Sequence, residues 1–149
     1  MNRFAAFLTS VWLGMQVMAG YAAIPMMMER FGRSDSAPLA GTLFSICNYL
    51  GLAAWTAAYF VLKHGADRRF GQHGGSAAPK FVLLLLVLVA VNQFLVMPVV
   101  ATHKSGGNWL LSLVGGSFGT WHGTSSLIYL ACSLLGAGIL MRFVKFDVR

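Results

Sequence analysis

Residues 81–101 read FVLLLLVLVAVNQFLVMPVVA, a run without a single charged side chain. A helix rises about 1.5 Å per residue and the hydrocarbon core of a bilayer is about 30 Å thick, so roughly twenty such residues cross it. Nothing soluble requires an aliphatic stretch this long, and it sets the medium for the rest of the chain. Pro98, near its end, is expected to bend the helix locally.

Three further stretches meet the same test. Residues 4–24 run uncharged from Phe4 to Ile24 and are expected to stop at Pro25, while residues 39–62 lie between the loop carrying Asp35 and Lys63. The uncharged run from Lys104 to Arg142 is too long for one helix and too short for two. It reads as an interfacial segment over 109–118 followed by a span over 121–141. The chain of 149 residues is therefore expected to form one domain, an all-α membrane protein with a four-transmembrane-helix bundle and an extra interfacial helix before the fourth span. Composition agrees, at 57% hydrophobic and 10% charged with mean hydropathy +0.69. An N-terminal Arg3 before an apolar run also fits a signal peptide, but cleavage would leave three spans and upset the charge balance below, so the segment is expected to stay.

Orientation follows from the basic residues, which collect on cytoplasmic loops. Arg3, Lys63, Arg68, Arg69, Lys80, Arg142, Lys145 and Arg149 share one side, and only Arg30, Arg33 and Lys104 take the other. Both termini are thus expected in the cytoplasm. The net charge of +7 is scattered around apolar blocks, with no basic stripe interleaved with aromatics, which argues against nucleic acid as a partner. The lipid bilayer is the expected partner, with another membrane protein or a second copy beside it.

Chemistry is sparse. All four carboxylates, Glu29, Asp35, Asp67 and Asp147, fall outside the spans read above, which removes the buried relay of an ion-coupled transporter and the paired acids of a hydrolase. Cys47 and Cys132 lack the spacing of a redox or zinc pair. What remains is a layer of uncharged polar groups at comparable depth: Gln16, Asn48, Asn92 with Gln93, and Cys132 with Ser133. Interhelical hydrogen bonding accounts for such a layer, and so does the lining of a polar cavity for a small solute.

His122 opens the fourth span, with Ser125 and Ser126 on nearby faces. Without a carboxylate to orient it, the set is no nucleophilic triad, and no enzyme activity is expected. As a ligand for haem or copper, His122 has weak company in His103 and Met26, the first of three consecutive methionines. No cofactor is therefore assigned. Gly115, Gly119 and Gly123 repeat at four-residue spacing and, with Gly14, Gly41, Gly136 and Gly138, are expected to let helices approach closely.

The runs Ser10-Val11-Trp12-Leu13-Gly14, Ile24-Pro25, Leu39-Ala40-Gly41-Thr42-Leu43-Phe44 and His122-Gly123-Thr124-Ser125 together resemble one family over nearly the whole chain. It is the domain of unknown function 4149, small four-helix membrane proteins related to the eukaryotic transmembrane protein 205. The resemblance implies a bacterial inner-membrane protein without an established reaction. It singles out Trp12, Gly14, Pro25, Gly41, Phe44, His122, Gly123 and Ser125 without giving them roles. Gly115 to Gly119 depart from the pattern, which has a plainer approach to His122 and a basic residue nearby. Taken together, the residues favour a structural or interaction component of a membrane assembly, with ligand or metal handling around His122 as the alternative.

Overall fold

The computed structural model describes residues 2–67, 78–103 and 108–147. Among them every regular element is helical, and four helices are long and apolar enough to cross a membrane: Phe4–Gly32, Asp35–Lys63, Pro79–Thr102 and Phe118–Arg142. In hydrocarbon each backbone N–H and C=O must find its partner within the protein, which leaves helices as the form open to such segments. The first span packs on the second and fourth, and the third packs on the same two, so the helices stand in a four-cornered bundle in the ring order one, two, three, four.

The first span does not stop at Pro25; it runs on to Gly32. A proline inside an α-helix lacks an N–H and crowds the carbonyl four residues back, which is why the sequence suggested an end at Ile24. The chain accommodates the ring by widening the preceding turn. Ala19–Ala23 form a π-helix in which the Ile24 N–H reaches back to the Ala19 carbonyl. Asn92–Val96 do the same before Pro98, with the Met97 N–H bonded to the Asn92 carbonyl.

The break between the first two spans falls at Gly32, whose φ of 77° suits glycine. Across it, Ser36 Oγ donates to the Met27 carbonyl at 2.8 Å. The second span begins at Asp35, four residues before the expected Leu39, because Pro38 falls within its first turn, where a missing N–H costs the helix nothing.

Bulky side chains fill the centre. Trp12 and Trp55 meet edge to face with ring centroids 5.6 Å apart, amid Ala58, Val82, Leu85, Val89 and Ile139. Three glycines make room for the aromatic rings. A Cβ on Gly51 would lie 2.4 Å from Trp12 Nε1, one on Gly20 2.5 Å from Tyr129 Cε1, and one on Gly136 3.1 Å from Trp12 Cζ3.

Of these three, Gly136 is among the glycines that the sequence suggested, and Gly20 and Gly51 are not. A Cβ at Gly14, Gly41, Gly115 or Gly123 meets nothing within 4 Å, and at Gly119 only Ser117 Oγ at 3.7 Å. Nor do Gly115, Gly119 and Gly123 form one helical ridge. Gly115 and Gly116, at φ 70° and 104°, make the turn between a short helix, Trp109–Val114, and the fourth span. Asn108 Oδ1 caps that short helix by accepting from the Leu110 N–H at 2.9 Å, and Trp121 Nε1 folds back onto the Gly115 carbonyl at 2.9 Å. No residue of the short helix is buried, and Leu113 is 76% exposed.

Candidate functional site

The polar side chains within the spans form a circuit. Trp12 Nε1 donates to the Cys47 carbonyl at 2.9 Å, joining spans one and two. Asn48 Nδ2 donates to Gln93 Oε1 at 3.0 Å, joining two and three. Ser125 Oγ donates to Asn92 Oδ1 at 3.0 Å, joining three and four. The circuit closes between four and one, where Gln16 Nε2 donates to Ser133 Oγ at 3.2 Å and to the Tyr129 carbonyl at 3.4 Å, and the Tyr129 phenol donates to the Gln16 carbonyl. Each neighbouring pair of helices is thus tied by at least one side-chain hydrogen bond. Bonds of this kind within membranes contribute about 0.6 kcal/mol each, so the circuit sets register more than it adds stability.

Local structure explains the arrangement. Asn92 and Gln93 are consecutive and both buried, at the start of the π-helix of the third span. Adjacent residues on a helix diverge, so one amide reaches the fourth span and the other the second. On the first span, the matching positions before Pro25 are Ala19 and Gly20, small enough for the Tyr129 ring to lie against the backbone. Tyr129 stands in turn edge-on to Phe44, with centroids 4.9 Å apart.

Of the residues singled out from sequence, Gln16, Asn48, Asn92 and Ser125 all enter this circuit. His122 stays outside it, on the exposed face of the fourth span. Its ring stacks on Phe118, with centroids 5.7 Å apart and planes 6° from parallel, and its carbonyl accepts from Ser126 Oγ. Ser125 turns away from it toward Asn92. Phe118 also meets His103 edge-on at 5.8 Å, so one phenyl ring lies against both imidazoles.

Met26 is exposed and lines a shallow depression with Glu29 and Arg30. Among the described residues no group of three or more His, Cys, Asp or Glu side chains is placed to hold a metal ion. The cysteines are buried and unbridged. The arrangement therefore offers neutral hydrogen-bond donors and acceptors, with no nucleophile beside a base. Sequence reasoning missed Trp12, Cys47 and Tyr129 as hydrogen-bonding partners. Their three contacts in the circuit all use backbone carbonyls, which leave no mark in residue type.

No curated protein and no solved structure matches this chain. The family described as domain of unknown function (DUF4149) matches residues 7–108, which takes in most of the first span and all of the second and third and ends before the fourth, leaving His122 and Ser125 outside. Spanning more than half of the sequence, the match makes this chain a member of the DUF4149 family.

Proposed function

We propose that the protein is a non-enzymatic structural or interaction component of a membrane assembly, held in a bacterial inner membrane with both termini in the cytoplasm. The observation that supports this reading is the outward face of the fourth span. Gly123, Leu127, Leu130, Leu134, Ala137 and Met141 follow one another at alternating spacings of four and three, the repeat of a helix–helix seam. Leu127, Leu134 and Met141 are each more than 60% exposed, and Gly123 has open space where a Cβ would stand. The side chains of the polar circuit point into the bundle, which leaves this seam to a helix from elsewhere. The partner is another membrane protein or a second copy of the chain.

Oxidative cross-linking in native membranes tests this. Leu130→Cys is expected to give a cross-linked species, while Leu83→Cys on the third span gives none. A solitary protein in mild detergent, with Gly123→Leu indistinguishable from wild type, would count decisively against the assembly role. Reporters fused after Lys80 and after Arg149 check the orientation, with cytoplasmic signals expected from both.

A second reading, binding or transport of a small ligand, copper or haem at the outer face around His122, draws support from His103. Its Nδ1 is buried and has no hydrogen-bond partner, beside the phenyl ring that stacks on His122. Metal content and the absorption spectrum of purified protein address it. An absent Soret band, no stoichiometric copper and an inert His122→Ala variant would end it.

A further inference from the structure

One side-chain acceptor in the polar layer lacks a donor among the described residues, and two backbone carbonyls near it lose their usual helical donors. Gln16 is 1% exposed, and its Nε2 serves Tyr129 and Ser133 while its Oε1 meets no donor. Turning the amide over does not help. Its oxygen would then face the Tyr129 carbonyl, and the Ser133 hydroxyl already donates to that same carbonyl at 2.9 Å.

The other two acceptors arise from the π-helices. The Gly20 carbonyl has two natural donors along the helix, the N–H groups of residues 24 and 25. The first is bonded to Ala19, and Pro25 has none. The Gln93 carbonyl is in the same position, because the Met97 N–H goes to Asn92 and Pro98 has none. The remaining partnerless buried nitrogens among the described residues, Trp55 Nε1 and His103 Nδ1, lie elsewhere, in the apolar cluster and at the end of the third span.

A layer with spare acceptors, wrapped in lipid, calls for a small molecule that donates hydrogen bonds. We propose that this layer is a hydration site, with ordered water donating to Gln16 Oε1 and to the Gly20 and Gln93 carbonyls. Neutral donors suit it better than a metal ion, because among the described residues no group of three or more His, Cys, Asp or Glu side chains is placed to hold one. The site is independent of the docking seam on the fourth span, and either stands if the other fails.

The chain has three glutamines, Gln16, Gln72 and Gln93, so labelling with nitrogen-15 glutamine yields three side-chain amide pairs. In lipid nanodiscs, the Gln16 pair, assigned by its loss in Gln16→Met, is expected to show a magnetisation-transfer peak to a long-lived water. If that variant does not fold, Gln93→Met and Gln72→Met together make the assignment by elimination in the wild-type spectrum. A Gln16 pair without a water peak at any mixing time overturns the proposal. So does a water peak that vanishes when sodium replaces choline in the buffer, which assigns the site to a cation.

Discussion

The first and third spans solve one problem in two ways. Each carries a proline near the same end of the bundle, and each inserts a π-helix that begins at the sixth residue before it, Ala19 before Pro25 and Asn92 before Pro98. At the first two positions of that wide turn the spans part company. Alanine and glycine in the first span admit Tyr129 from the fourth, whose phenol reaches the backbone at Gln16. Asparagine and glutamine in the third span reach out to both neighbours. The backbone device is thus a local answer to a proline in lipid, and the wiring depends on side-chain size at two positions.

The comparison breaks most visibly at Gly20. In Gly20→Ala the new Cβ would lie 2.5 Å from Tyr129 Cε1, forcing the ring off its site and its phenol off the Gln16 carbonyl. A loss of about 2–3 kcal/mol is expected from overpacking with a lost buried bond, read from unfolding in detergent. Gly14→Ala, where nothing lies within 4 Å, serves as the control and is expected to show no loss.

On the third span the matching position is Gln93. Gln93→Leu keeps the volume and leaves Asn48 Nδ2 without its acceptor, at an expected cost of about 1–2 kcal/mol in the same assay. Smaller still is the coupling between Asn92 and Ser125. A double-mutant cycle with Asn92→Ala and Ser125→Ala is expected to give about 0.6 kcal/mol. A value near zero would show that the contact sets register without stabilising it.

The smallest effect on stability, and the sharpest test of the comparison, comes from the prolines. Pro98→Ala restores an N–H and is expected to return the third span to regular α-helix, with a change within about 0.5 kcal/mol. Pro25→Ala is expected to leave the first π-helix in place, because the Tyr129 phenol still holds the Gln16 carbonyl. Backbone chemical shifts across 19–23 and 92–96 distinguish the two outcomes.

Hydropathy made the four spans legible, because a membrane helix is written in uncharged length alone. The candidate polar residues were legible for a related reason. An amide in an apolar run is costly unless bonded, so Gln16, Asn48 and Asn92 stood out before their partners were known. The ends of the first two spans were less so. Pro25 looked like a stop and became an interior residue through a widened turn, while the apparent start at Leu39 moved back to Asp35. The glycines were the least legible. A four-residue spacing marks Gly115, Gly119 and Gly123, yet the contacts belong to Gly20, Gly51 and, alone of the glycines the sequence marked, Gly136, each set against an aromatic ring from a different helix.

By itself the sequence determined the medium, the number of crossings and the residues obliged to find partners, because transfer to lipid is a property of each segment alone. Tertiary structure decided which helix answers each amide, which glycine faces a ring and which faces outward, and that His122 stays outside the polar circuit. Those outcomes depend on the rotation of each helix about its axis, and that rotation is set by how the large side chains Trp12, Trp55 and Tyr129 fit against their neighbours.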